Sequence, residues 1–406
     1  MNVLISGGSI AGLTLAHWLS RYGLRPTLVE RAPAPRPGGQ AVDLRGAAKE
    51  VVERMGIMDH IRKASIHERG LAYVAADGRW KASMPAELFG GEGAVAEIEI
   101  LRGDLTDILY ESAWQGVDYL FDDSITSLTE VDNGVMATFE RAPARVFDVV
   151  VGADGVHSNV RKLVFGPESS FVKHLGAYSA YFTIPADGLE LDHWFLLHSA
   201  PGGRLAAIRP EGRHTAKAMF AFAAGELDYD RRDVAQQQQI LRDRFADVGW
   251  ETARLLKAMP DAEDFFFDTI CQVHMDHWSK GRVVLLGDAG YCGSPLSGNG
   301  TAMAMVGAYV LAGELASADH PTAFAAYEDQ LRPYVAEAQK LAPGGVKAFV
   351  PQSRSAIWLG TQLTRLMTSR PFRPLMAKAM TRAGGITLKD YLPVAPDHAC
   401  DEGVRG

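Results

Sequence analysis

Cysteine is scarce in this chain: Cys271, Cys292 and Cys400 are the only three in 406 residues, and none form a C-x-x-C pair. That excludes a disulfide framework and a cysteine-built zinc site, and it suits a reducing compartment. No run of about 20 uninterrupted apolar residues occurs, so no membrane-spanning helix is expected. Lysine and arginine never cluster, and their 41 positive charges fall short of 49 acidic ones, for a net charge of −8. That balance argues against nucleic acid or an anionic membrane as partner. No basic stretch precedes an apolar core at the start, where Met1 to Gly7 runs straight into a strand pattern. A cytoplasmic protein is the expectation. The histidines form no H-x-H or H-E-x-x-H ligand pattern, so no metal is expected. No G-x-S-x-G elbow marks a serine hydrolase. With 47% hydrophobic and 22% charged residues, the composition is that of a globular protein, and the length suits two to three domains.

What is present begins with a βαβ unit. Val3–Ile5 is a short apolar run, followed by Gly7-Gly8-Ser9-Ile10-Ala11-Gly12, a helical pattern over Leu13–Tyr22, and a second apolar run ending at Glu30-Arg31. A dinucleotide fingerprint uses glycines for a tight turn, for close approach to pyrophosphate and for helix–strand packing. Here Ser9 stands at the middle glycine position. The helix start at Ile10–Leu13 offers amide N–H groups and a positive dipole end to phosphate. Glu30 lies about 20 residues on, where a carboxylate accepts ribose hydroxyls, which favours NAD or FAD over NADP as the resident dinucleotide.

Further along, the pattern predicts a helix over 47–63, a hairpin over 71–84 turning at Asp77-Gly78, and a helix opening at Arg102. Residues 172–223 carry strand-like runs with turn signals every 8–12 residues, which suggests an antiparallel sheet. A helix of small residues is expected from about Thr301 to Ala316. Residues 346–390 set Trp358, Leu359, Leu363, Leu366 and Met367 at helical spacing, which predicts a helix packing across both domains and closing the substrate side.

Two later motifs accompany the glycine turn. One is Val149-Val150-Val151-Gly152-Ala153-Asp154-Gly155, running on to Arg161. The other is Arg282 to Leu286, Gly287-Asp288-Ala289, then Pro295-Leu296-Ser297-Gly298-Asn299-Gly300. In this order and spacing the three resemble the single-component flavin-dependent aromatic hydroxylases, the p-hydroxybenzoate hydroxylase family, over about residues 1–330. The loop Arg36-Pro37-Gly38-Gly39-Gln40-Ala41-Val42-Asp43-Leu44-Arg45 is similar to that of tetracycline-inactivating flavin monooxygenases, with one extra residue before Asp43. The usual Gly-Gln-Gly-x-Asn flavin loop is here Gly298-Asn299-Gly300-Thr301-Ala302.

The resemblance implies an α/β fold. Its Rossmann-like FAD-binding domain comprises 1–70, 97–171 and 273–343. An inserted antiparallel-sheet substrate domain comprises 71–96 and 172–272, and a C-terminal helical segment spans 344–406. It implies FAD held by Gly7, Ser9, Ile10, Ala11, Gly12, Glu30, Arg31, Asp43, Arg102, Asp154, Asp288, Pro295, Gly298, Asn299 and Gly300. Arg102 would reach the pyrophosphate and flavin, Asp288 the ribityl chain, and Arg36 the phosphates of NADPH. NADPH or NADH would be a transient reductant. Tyr178, Tyr181, Phe182, Phe220 and Phe222, with Met219, are candidates for lining the substrate site, but their strand-like runs favour a plain sheet core over that reading. The implied reaction is O2-dependent hydroxylation of an aromatic or polycyclic, polyketide-like molecule, tetracyclines included, through a C4a-hydroperoxyflavin and with no protein nucleophile. The expected assembly is a monomer or homodimer. The alternatives are a flavoprotein oxidase or reductase, or a non-catalytic flavin-binding protein. A halogenase is disfavoured because the Trp-x-Trp-x-x-Pro signature is missing.

Overall fold

The computed structural model describes residues 1–35, 38–86, 98–212, 214–369, 371–372 and 385–391. Strand β1 (Asn2–Ser6) buries Val3, Leu4 and Ile5 completely. A strand apolar on both faces belongs in the middle of a covered parallel sheet. It lies there, in the order β17 (Ser279–Lys280), β18 (Val283–Leu285), β11 (Val149–Gly152), β1, β2 (Arg25–Glu30), β7 (Asp118–Phe121). All neighbours are parallel except the short edge pair β17–β18.

Helix α1 (Ile10–Arg21) connects β1 to β2 and packs against α9 (Gly300–Ser317) and α4 (Arg102–Ala113). Helix α9 is apolar on every side, and all of Thr301–Leu315 is buried. That pattern marks a helix enclosed by protein. Its other cover is α10 (His320–Ala338). Where the pattern predicts one helix over 47–63, the chain forms two, α2 (Ala47–Met55) and α3 (Met58–Ala64). The break falls at Gly56, whose φ of +77° is the left-handed cap that ends helices.

A small sheet of β8 (Ile125–Val131), β9 (Gly134–Phe139) and β10 (Arg145–Phe147) packs near α5 (Asn159–Val164). Strands β3 (Ala41–Leu44) and β6 (Ile98–Leu101) form an antiparallel pair.

The second large unit is a seven-stranded sheet. Its order is β16 (Phe266–Val273), β12 (Val172–Pro185), β15 (Thr215–Ala223), β14 (Arg204–Pro210), β13 (Trp194–Ala200), β4 (Gly70–Val74), β5 (Trp80–Pro85). Only the β13–β4 pairing is parallel. One face packs Tyr178, Phe182, Phe220 and Phe222 together with residues of α6 (Val234–Phe245) and α7 (Thr252–Ala258). The other face presents Ala177, Leu197, Leu205, Ala207, Met219 and Ile270.

Helix α8 (Asp288–Tyr291) follows β18, and α11 (Gly345–Phe349) lies against β12. Helix α12 (Arg354–Thr368) packs on β5 and β13, where Arg365 Nε donates to the Lys81 carbonyl. The predicted bridging helix is therefore divided: α12 covers the sheet edge, while Ile386, Leu388 and Tyr391 dock on the core of the six-stranded sheet. Among the described residues no helix is long and apolar enough to cross a membrane.

Candidate functional site

The turn after β1 is a cradle formed by missing side chains. A Cβ on Gly7, where φ is +109°, would lie 2.5 Å from the Ala153 carbonyl oxygen. A Cβ on Gly12 would lie 1.9 Å from the Gly7 oxygen. Gly12 thus seats α1 against the turn and does not itself line the cavity, while Gly7, Gly8, Ser9, Ile10 and Ala11 do. Ser9 is the N-cap of α1, but its hydroxyl makes no capping bond. No side chain therefore competes for the N–H groups of the first turn, the arrangement that receives phosphate. Glu30 is fixed beside it: its carboxylate accepts from the Gly8 N–H at 2.8 Å and the Ala32 N–H at 2.9 Å. Glu30 and Arg31 both line the cavity.

On the opposite wall, the Arg102 N–H donates to the Gln40 carbonyl at 3.1 Å. Its guanidinium lies over Gly39, where a Cβ would come 2.6 Å from Nε. Asp43 lines the cavity from β3 and pairs with Arg45 at 2.8 Å. Asp288 opens α8 and faces the cavity, as do Pro295, Gly298 and Gly300. Asn299 does not line it. Its amide donates to the Ser297 and Ala338 carbonyls, bracing the loop that leads into α9. No side chain caps α9 either. Two helix N-termini therefore converge on one cavity, which also holds an arginine and a strand-end carboxylate. The donor set and the glycine cradle fit FAD. Asp154 lines the same cavity, yet its bonds are structural: it accepts from Ser158 Oγ and from the N–H groups of Asn159 and Val160 at the start of α5. Arg36 lies outside the described residues.

The cavity, of about 960 Å³, continues under the seven-stranded sheet. Tyr181 and Met219, partners across β12 and β15, line it with Leu71, Phe195, Leu197 and Ile270. Tyr178, Phe182, Phe220 and Phe222 do not: they point to the α6–α7 side. The cause is the two-residue alternation of strands, which sends Tyr178 and Tyr181 to opposite faces and separates Met219 from Phe220.

Ionisable residues that no motif announced also line the cavity, among them Glu68, Glu99, Arg209 and Lys217. Arg209 and Lys217 are cross-strand partners on β14 and β15. Lys217, 3% exposed, donates to Asp264 at 2.6 Å and Thr183 at 2.5 Å, and pairs with Glu211 at 3.1 Å. Arg209 pairs with Glu68 and, at 2.8 Å, with Glu99. Burial, together with the adjacent Glu68 and Asp43 carboxyls, pushes Glu99 up to about 8 despite the attraction of Arg209. Burial also raises Glu68. A sequence signal existed for two of them. Glu99 interrupts the apolar run Ile98–Leu101, and Lys217 interrupts Ala216–Phe222. A charge inside a strand-like apolar run needs a buried partner.

His157, at the cavity rim, joins the two units. Its Nδ1 bonds Glu168 at 2.9 Å and its Nε2 bonds Asp268 at 2.8 Å. Burial lowers its pKa, but these carboxylates outweigh it and raise the group to about 9. No cluster of three or more potential metal ligands occurs among the described residues.

Comparison with known proteins agrees with this donor set. Residues 1–346 match the FAD binding domain family. An uncharacterised protein of Mycobacterium tuberculosis is 47% identical over 360 residues, covering 86% of this chain and 95% of that one. A flavin-dependent monooxygenase of Legionella longbeachae is 37% identical over 395 residues, covering 96% of this chain and 98% of its own. Among solved structures, the tetracycline destructase Tet(55) superposes with a TM-score of 0.79 at 38% identity, covering 96% of this chain and 98% of that one.

Proposed function

Because the chain belongs to the FAD binding domain family and is an FAD-dependent monooxygenase, we propose that it uses NAD(P)H and O2 to hydroxylate an aromatic or polycyclic small molecule beneath the seven-stranded sheet. Tetracycline-type polyketides belong to that class, on the strength of the likeness to Tet(55). The observation that carries the reading is a single cavity. It runs from the glycine turn and Glu30 to a roof that is apolar at Tyr181, Phe195 and Met219 and cationic at Arg209 and Lys217.

Bound flavin supplies the redox chemistry, taking electrons from the nicotinamide and activating O2. The chain's residues bind, orient and exclude water. The first turn of α1 and Arg102 hold phosphate, Glu30 takes ribose hydroxyls, and Asp288 meets the ribityl chain. The N-terminus of α9 favours negative charge on the flavin ring. The apolar roof keeps water from the reacting carbon. Arg209 binds an oxygen substituent of the substrate and so sets its orientation.

The test is product mass under 18O-labelled O2, with FAD-loaded enzyme, NADPH, tetracycline and a panel of phenols. One labelled oxygen atom in the product is expected. NADPH oxidation that yields only hydrogen peroxide across the panel would instead make the protein an oxidase.

A further inference from the structure

Helix α12 is amphipathic with its apolar side outward. It packs on β5 and β13, yet of its 15 residues Thr361 alone is buried. Its less exposed side is Ile357, Thr361, Thr364 and Thr368, at i, i+4, i+7 and i+11. The three threonines spend their hydroxyls on carbonyls one turn back in the same helix. Leu359, Leu363 and Leu366, at i, i+4 and i+7, form the opposite side, and all three are exposed. Trp358 is 63% exposed beside them, and Trp80 on the adjoining β5 is 50% exposed. A surface helix ordinarily turns its apolar stripe to the core. This one presents three leucines and a tryptophan to whatever lies outside.

The charge of the same stretch departs from the rest of the chain. Residues 338–389 contain nine lysines and arginines and no aspartate or glutamate, while the other 354 residues hold 32 basic and all 49 acidic residues. The balance of the whole chain, which argues against an anionic membrane, therefore conceals a segment of the opposite sign. Lys347, Arg354 and Arg365 of this segment are exposed. Arg354, Trp358 and Arg365, at i, i+4 and i+11, run along one flank of the leucine stripe.

We infer that this face of α12 is a docking surface for an anionic lipid bilayer. Leu359, Leu363 and Leu366 enter the acyl region, Trp358 sits at headgroup level, and the flanking arginines meet lipid phosphates. Tryptophan and leucine on one side with lysine and arginine around them is the pattern of helices that lie in the plane of a membrane surface. Charge selects the occupant. A second copy would bring the same basic segment to an isologous contact, and like charges would repel. A bilayer asks for apolar depth and positive charge without a matched shape. The acidic remainder of the chain is repelled by the same lipid, which fixes the orientation with α12 toward the membrane. The helix lies on the bilayer and does not cross it.

The test uses the FAD-loaded full chain and vesicles of equimolar phosphatidylglycerol and phosphatidylcholine, read by co-sedimentation at about 0.1 M salt. Binding is expected there, absent on vesicles of phosphatidylcholine alone, and weakened by added salt. Leu359→Ser, Leu363→Ser and Leu366→Ser combined should lower the affinity at least about tenfold while FAD content and melting temperature stay those of the wild type. Lys347→Glu with Arg354→Glu, which leaves the apolar side intact, should lower it as much. Brominated lipid should quench tryptophan fluorescence in the wild type, and the quenching should shrink in Trp358→Phe. No binding to the anionic vesicles, equal binding to neutral ones, either variant binding as the wild type does, or quenching unchanged in Trp358→Phe overturns the proposal. A wild type that sediments as a dimer, becomes a monomer in the leucine variant and ignores vesicles would give the face to a second copy and also overturns it.

Discussion

The Glu30 carboxylate, held by the Gly8 and Ala32 N–H groups, would accept the ribose hydroxyls in the proposed binding mode. Glu30→Ala should cost roughly 1.5–3 kcal/mol of FAD binding, the value of charge-assisted hydrogen bonds. FAD content after dialysis measures it, and equal retention in both proteins would refute the role. Gly39 offers a sharper case. Its φ of +99° and the Arg102 guanidinium 2.6 Å from a would-be Cβ leave no room for alanine. Gly39→Ala should strain the loop by about 1–3 kcal/mol and displace Arg102, so FAD affinity should drop while the fold, followed by far-ultraviolet circular dichroism, survives. Glu30 and Arg102 were singled out in the sequence because their signals are local, a strand-end acid and an arginine opening a helix. Glu68 and Arg209 were not, because their meaning lies in an ion pair between residues far apart in the chain, which no short motif encodes.

The connections between elements carry a pH dependence. His157 follows the Asp154-Gly155 turn and bonds Glu168 on one side and Asp268 of β16 on the other, with Arg231 also on Glu168 and Arg161 3.9 Å from it. Its folded pKa, about 9, lies above the ordinary 6.5. The stabilisation is therefore complete below about pH 6.5 and is lost as pH rises through about 9. The melting temperature of the wild type should fall across that window. His157→Gln should melt lower at pH 6 and lose part of the fall, and identical slopes for the two proteins would exclude the latch. At this scale the sequence told the strands apart from the helices and favoured a sheet-core place for their aromatics, but it could not say which single residues face the cavity. The aromatic residues Tyr178, Phe220 and Phe222 were recognised as strand residues, yet a step of one residue decides whether a side chain meets ligand or helix, and runs apolar on both faces give no alternation to read. The division of 47–63 at Gly56 was hidden because the apolar spacing continues across the break.

For the whole molecule, four strands of the six-stranded sheet were readable because β1, β11 and β18 each lead into a glycine motif and β2 ends at Glu30, whereas β7 and β17 carry no motif. The docking of α12 on the sheet edge was not readable, since its amphipathic pattern fits several surfaces. The seven-stranded sheet draws β4 and β5 from residues 70–85 and its other five strands from 172–273. A fragment limited to residues 172–272 would leave β13 as a bare edge, with Phe195 and Leu197 beside it and no parallel partner. It should aggregate, and adding residues 66–86 through a linker should restore solubility; a monodisperse 172–272 fragment in gel filtration would contradict this. The same interlacing governs the order of events at the ribosome. The β4–β5 hairpin emerges first and must wait while about a hundred residues are synthesised before Trp194–Leu197 arrives to pair with Gly70–Tyr73. Until then it is an unpaired strand edge in a nascent chain, and closing so long a loop makes that pairing a late and slow step of folding.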